Sequence, residues 1–122
     1  SVAEFGFPKE SRLLTAADYK AVFDNSQYKV SCRHFLMLAT LSQHQTKRLG
    51  MVLAKKNIGK AVQRNRIKRQ IRETFRHTHA QFPSLDVVVL ARRDAAKLSK
   101  SQLSKFLNGL WLDLENKLIV KK

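Results

Sequence analysis

A chain of 122 residues with 24 Lys and Arg against 9 Asp and Glu carries a formal charge of +15 and a pI near 10.6. That length suits one domain, residues 1–122, with a core that needs no staples, and 43% apolar content excludes wholesale disorder. The single cysteine, Cys32, excludes an internal disulfide, and so basic a balance points to a polyanion as partner rather than to a small neutral substrate.

No apolar run approaches membrane-spanning length, and the first residues lack a cationic start followed by a long apolar stretch. A cytoplasmic protein that is not exported is the expectation. The basic residues are interleaved with Asn and Gln, which disfavours an anionic membrane as the polyanion.

Residues 1–12 hold Phe5, Phe7 and Pro8 without periodicity and read as an extended arm. Thr15 opens a short helix, because its hydroxyl can accept from the Asp18 amide while Asp18 reaches back, a capping box. Tyr19, Val22 and Phe23 share one side of this helix and read first as core packing. Asp24-Asn25-Ser26 ends it. Tyr28 to Leu41 is rich in β-branched and apolar residues, so strand is predicted, with a break at Ser31-Cys32-Arg33. A second strand, Lys47 to Ala54, would form an antiparallel hairpin with it, and Gly50 suggests a bulge or a close backbone approach.

The stretch from Lys55 to Arg76 holds nine Lys or Arg residues against one acid, Glu73. From about Ala61 it also has a helical repeat: Ile67, Ile71 and Phe75 recur every fourth position. Asn65, Arg66, Lys68, Arg69, Arg72 and Arg76 fall on the opposite arc. Solvated helix faces ordinarily mix signs, whereas here Lys68, Arg72 and Arg76 repel one another at i, i+4. A face that carries such a cost suits an anionic partner with regularly spaced charge.

That helix fades near His77-Thr78-His79, and Pro83 stops any continuation. Leu85 to Ala91 (LDVVVLA) reads as a strand buried on both faces, and Arg92 to Asp94 as loop. Leu103, Phe106, Leu107, Leu110, Trp111, Leu114 and Leu118 step along a last amphipathic helix, capped by Ser99 with Gln102 or by Ser101 with Ser104. Residues 119–122 are expected to fray. Helix, strands, helix, strand, helix makes an α+β layer fold, and a strand–helix–strand unit over 47–91 is right-handed by the general rule.

A catalytic site has little support. The acids are scattered without Asp-x-Asp or Glu-x-x-Glu pairing, His77 and His79 point to different sides of a helix, and Cys32 reads as a small buried apolar residue. Gly59-Lys60 lacks the hydroxyl residue and the upstream Gly of a phosphate-binding loop, so Gly59 reads as the turn into the basic helix. An Arg- and Lys-dominated comb addresses phosphates and shape more than base edges, and aromatics such as Tyr19, Phe23 and Phe35 suit unpaired bases. RNA is favoured over DNA.

Ala54-Lys55-Lys56-Asn57-Ile58-Gly59-Lys60, followed by Arg64-Asn65-Arg66 and Ile67-Lys68-Arg69, resembles the signature of the bacterial ribonuclease P protein subunit. Further matching segments are Arg12-Leu13-Leu14-Thr15, Arg48-Leu49-Gly50, Asp86-Val87-Val88-Val89 and the Leu- and Trp-rich last helix. The resemblance implies the order α-β-β-β-α-β-α, a four-stranded sheet with helices packed on it, and a left-handed crossover against the general rule. It implies a protein cofactor of a ribozyme that removes the 5′ leader of precursor tRNA. Mg2+ would belong to the RNA-containing holoenzyme, with chemistry in the RNA subunit and no catalytic residue or bound metal in the protein.

By the same resemblance, Lys55, Lys56, Asn57, Lys60, Arg64, Asn65, Arg66, Lys68, Arg69, Arg72 and Arg76 would face RNA, with Arg12 as a further contact. Tyr19 and Phe23, with Leu36 and Leu38 as floor, would border a cleft for the leader, which moves the two aromatics from core to binding surface. Neither a membrane nor DNA is expected as partner. A general RNA-binding or ribosome-associated protein and a free-standing nuclease are the alternatives.

Overall fold

A computed structural model describes residues 15–41, 47–78 and 85–120. Arg12, the 1–12 arm and Lys121-Lys122 lie outside them. The elements, in order, are α1 (Ala16–Asn25), β1 (Tyr28–Ser31), β2 (Phe35–Leu41), β3 (Arg48–Val52), α2 (Ala61–Arg76), β4 (Leu85–Ala91), a 3-10 turn (Arg93–Lys97) and α3 (Lys100–Val120). The α+β order is as expected. Helix α3 extends to Val120.

Local signals set most boundaries. Thr15 Oγ1 accepts from the Asp18 amide at 3.2 Å and the Thr15 amide donates to Asp18 Oδ2 at 3.3 Å, completing the capping box of α1. Ser99 and Gln102 make the equivalent pair at α3, at 2.9 and 3.2 Å, which decides between the two candidate caps. The break at residues 32–34 turns β1 into β2, closed by the Cys32 amide on the Phe35 carbonyl.

Strand pairing departs from the expected hairpin. The order is β1-β2-β4-β3, with β1–β2 and β2–β4 antiparallel and β3–β4 parallel. No β2–β3 hairpin forms, because β4 lies between them. The reason is in β4 itself: six of its seven residues are buried, so it needs a neighbour on each edge and cover on each face. An edge position would expose its valines. Gly50 sits in regular parallel register opposite Val88 rather than in a bulge.

The main core lies between one face of the sheet and α2 with α3. Phe35, Met37, Val87 and Val89 meet Ile67, Ile71, Phe75, Leu103, Leu107, Trp111 and Leu114 there. Each such side chain contributes about 2–3 kcal/mol by leaving water. Trp111 is core, as expected: its Nε1 donates to Thr74 Oγ1 at 2.8 Å and its ring lies 5.4 Å from that of Phe75. Across the sheet, α1 covers only part of the opposite face, with Val22 packed on Val88.

Candidate nucleic-acid interface

The cationic surface begins where β3 ends. The Asn57 and Ile58 amides both donate to the Ala54 carbonyl at 3.0 Å, turning the chain sharply so that Lys55 and Lys56 project outward and Ile58 is buried. Lys60 precedes α2 and is also exposed, and Asn57 is half-buried. Gly59 has no left-handed backbone, and a Cβ there would lie 3.8 Å from the Lys55 carbonyl, an ordinary contact. What the turn uses is its carbonyl: Arg64 Nη1 donates to both Ile58 O and Gly59 O at 2.9 Å.

Arg66 is anchored as well, donating to Leu98 O at 2.7 Å and Ala96 O at 3.4 Å. The two arginines of the Arg-Asn-Arg triplet therefore tie α2 to the turn before it and to the segment before α3. Asn65, between them, is exposed. Sequence reasoning did not foresee this anchoring. The missed signal is that arginine has five donors, so one guanidinium can hold backbone carbonyls and still present charge.

Along α2 the buried arc is wider than the Ile67, Ile71 and Phe75 stripe. Gln70 and Thr74 are also buried, at 6% and 5% exposure, because α3 packs on that side. The outward crest is accordingly Asn65, Arg69 and Arg76, while Lys68 and Arg72 are half-buried on the flank rather than central to the opposite arc. Arg76 holds both oxygens of Glu73, and His77 Nε2 lies 3.2 Å from one of them. These partners hold the Glu73 carboxyl below its ordinary pKa, with the Arg76 hydrogen bond the larger cause. The single acid of α2 is thereby paired with Arg76 at the far end of the crest.

The far end of α2 is closed by Lys47. Its Nζ donates to Phe75 O at 3.0 Å and to Thr78 O at 2.7 Å, and stands 4.7 Å from the centre of the Phe75 ring. Lys47 was expected to start β3; it caps a helix C-terminus instead, where a cation is favoured. Burial pulls its pKa down from the ordinary lysine value.

On the opposite sheet face, Tyr19, Leu38, Val52 and Leu90 surround the buried Val22–Val88 pair. Leu36 faces the same way, opposite Leu90 in the register, and is half-buried like Leu38. Tyr19 Oη accepts from the Met51 amide at 3.1 Å, which fixes its ring beside the strand that leads into the Lys55-Lys56 turn. Phe23 is 43% exposed. The three α1 residues thus divide: Val22 is core, Tyr19 is a positioned wall, and Phe23 is an open aromatic surface. The structure brings Tyr19, Phe23, Leu36 and Leu38 onto one side of the sheet.

Beneath that surface lies an ion network that the sequence did not reveal. Arg48 and Asp86, opposite each other in β3 and β4, pair through two hydrogen bonds of 2.9 and 2.7 Å, and Asp18 of α1 stands 3.5 Å from the same guanidinium. The Asp86 hydrogen bond raises the Arg48 pKa further, against the effect of burial. A single charge in each of two apolar strands, RLGMV and LDVVVLA, was the available signal.

Cys32 is half-buried rather than buried, and its Sγ accepts from the His34 amide at 3.4 Å. Among the described residues no three His, Cys, Asp or Glu side chains gather as metal ligands, and no helix is long and apolar enough to cross a membrane.

This geometry has known counterparts. The family model described as Ribonuclease P matches residues 7–115. The ribonuclease P protein component of Stutzerimonas stutzeri is 47% identical over 87% of this chain and 81% of its own length, and that of a Psychrobacter species is 43% identical over 99% and 90%. Among solved structures, the Staphylococcus aureus RNase P protein superposes with a TM-score of 0.78 at 29% identity, covering 84% of this chain and 94% of its own. The Thermotoga maritima protein gives 0.64 at 27%, over 80% and 96%. With a fold, a basic turn-and-helix surface and relatives that all agree over most of its length, the chain belongs to the ribonuclease P protein family.

Proposed function

We propose that this chain is the protein component of a ribonuclease P holoenzyme, an endoribonuclease of tRNA 5′ maturation. It binds the RNA subunit and the leader of precursor tRNA while the RNA performs the cleavage. The observation that carries the proposal is the exposed cationic surface of Lys55, Lys56, Lys60 and Arg69, with the polar Asn65 beside them, whose neighbouring acid is already engaged by Arg76 and His77. Asn57, Arg64, Arg66, Lys68, Arg72 and Arg76 complete this surface, the first three also shaping it. Fixed positive charge between two RNAs offsets phosphate repulsion and lowers the Mg2+ that the RNA needs.

Tyr19, Phe23, Leu36 and Leu38 hold the single-stranded leader. The exposed ring of Phe23 supplies stacking, and the leucines supply apolar contact to sugar and base. Precursor is thereby held more tightly than mature tRNA. In this reading the Mg2+ of the reaction is held by the RNA subunit. The protein works in the cytoplasm, without a membrane or DNA partner.

The test incubates purified protein with precursor tRNA, with and without the RNA subunit, across an Mg2+ titration. The expected result is cleavage only with RNA, at lower Mg2+ when protein is present. Cleavage by protein alone would make it a nuclease, and no effect on the RNA would make it a general binder.

A further inference from the structure

At the end of α2 remote from the Lys55-Lys56 turn, a cavity of about 160 Å3 opens between α2 and α3, lined by Thr74, His77, Asn108, Trp111, Leu112 and Glu115. The 16 residues of α2 put it roughly 24 Å from that turn. The polar groups on the α2 side are engaged: Thr74 Oγ1 takes the Trp111 indole, and His77 Nε2 lies against Glu73. On the α3 side they are not. Glu115 is half-buried and makes no hydrogen bond or ion pair among the described residues. Asn108 gives its Nδ2 to Ser104 Oγ at 3.3 Å, which leaves Oδ1 without a donor among the described residues. A cavity whose unused groups are acceptors, one of them a carboxylate, calls for a cation.

The rim of the cavity is the outer face of α3, and two residues there have no explanation within the described chain. Leu112 is 56% exposed. Gly109 sits in the middle of a 21-residue helix, where glycine is the poorest residue after proline, and a Cβ there would meet nothing within 4 Å. At ~100° per residue, Asn108, Gly109 and Leu112 share an arc of about 100°. A bare stretch of backbone beside an exposed leucine suits the close approach of another chain. The charge here is also unlike that of the crest. Asp113 is exposed near Glu115, while Arg76 is held by Glu73 and Lys47 by the Phe75 and Thr78 carbonyls. Lys105 lies about two turns before Leu112. Unpaired acids disfavour phosphate and favour a basic polypeptide.

We propose that the outer face of α3 around Gly109 and Leu112 is a docking surface for a basic segment of a partner protein, with one arginine seated in the cavity. Its guanidinium lies between Glu115 and Asn108 Oδ1, its stem packs on Leu112 and Trp111, and the partner backbone crosses at Gly109. Arginine fits better than lysine, because its planar fork serves both acceptors at once and its face packs on the indole. A cavity of about 150 Å3 holds benzene, so a guanidinium with its first methylenes fits this one. A whole second copy would set +15 against +15, whereas a short basic segment brings only the charges that face Glu115 and Asp113. The surface shares no residue with the RNA-binding crest or the α1 face, so RNA and partner can be held together.

The isotopically labelled full chain is titrated with a tetra-arginine peptide, with its tetra-lysine counterpart and, separately, with a short single-stranded RNA, following backbone amides and the Trp111 indole. The arginine peptide is expected to shift Asn108, Gly109, Leu112, Glu115 and the indole, and to bind several-fold more tightly than the lysine peptide. RNA is expected to shift Lys55 and Lys56 instead. Glu115→Gln should weaken the arginine peptide about tenfold, the contribution of one charge-assisted hydrogen bond. Gly109→Ala should weaken it about threefold while raising the thermal midpoint by about 4 °C, two changes that a purely structural glycine would not combine.

Stationary Gly109 and Leu112 resonances with the arginine peptide would overturn the docking surface. So would equal affinities for the parent and Glu115→Gln, which would make the peptide a non-specific counterion. RNA that shifts the same α3 resonances would give this face to RNA, and shifts that appear on raising the concentration of the chain alone would give it to a second copy; either result overturns the basic partner. None of these outcomes alters the response of Lys55 and Lys56 to RNA, so the RNA-binding reading stands or falls separately.

Discussion

Toward α2 and α3 the sheet buries Phe35, Met37, Val87 and Val89 completely, whereas toward α1 the fully buried contact is Val22 on Val88. The rest of that second face is Tyr19, Leu36, Leu38, Val52 and Leu90 at partial exposure, with Phe23 exposed on α1. Beside it the Arg48–Asp86–Asp18 network joins α1 to β3 and β4. One face is thus devoted to stability. The other holds α1 in place through a few directional contacts and leaves apolar and aromatic surface exposed. A thicker cover over the second face would add burial and close the surface.

Substitutions can break this comparison, starting from the largest effect. Phe75→Ala removes a ring that packs on Trp111 and carries Lys47 on its face, and should cost about 3–5 kcal/mol in denaturant unfolding. A loss under about 1 kcal/mol would mean that the α2–α3 side is not the main core. On the other face, Arg48→Met strands Asp86 in a buried site and should cost about 3 kcal/mol. Adding Asp86→Leu should recover most of it, and a double variant no more stable than the single would show that the network does more than satisfy its own charges.

Phe23→Ala sharpens the division of labour. Stability should change by less than about 0.5 kcal/mol because the ring is exposed. Precursor binding should weaken by about 1–2 kcal/mol if one base stacks there, with mature tRNA unaffected. Equal weakening for both RNAs would remove the leader from this face. Lys55→Gln with Lys56→Gln should act elsewhere, flattening the salt dependence of RNA binding by about 1–2 in log–log slope.

The smallest effect concerns the end of α2. Glu73 has a folded pKa below its ordinary 4.5, so its ion pair stabilises above that value and the contribution is lost as pH falls through the folded value. For a solvent-screened pair this is about 0.5 kcal/mol or less. Comparing the thermal midpoint of Glu73→Gln with that of the parent should show a deficit at neutral pH that vanishes in acid and shrinks with salt.

Local chemistry was readable in advance wherever a signal spans one turn or one strand. The Thr15–Asp18 box, the Ile67–Ile71–Phe75 stripe, the doubly buried β4 and the chain turn at residues 32–34 all follow from neighbours in sequence. The basic surface was equally plain, because charge excess needs no tertiary information. By contrast, the 3-10 turn at Arg93–Lys97, the helix-capping role of Lys47 and the inward anchoring of Arg64 and Arg66 depend on carbonyls left open elsewhere in the chain.

Residue order by itself determined which segments are helix or strand and that the molecule would meet an anion. Only the tertiary structure decided that β4 separates β2 from β3, that Val22 goes inward while Phe23 stays out, and which arginines are free to reach a partner. The physical reason is range. Periodicity and capping act between residues a few positions apart, whereas strand neighbours and hydrogen-bond partners are chosen by whichever unpaired edge or carbonyl the whole fold brings within reach.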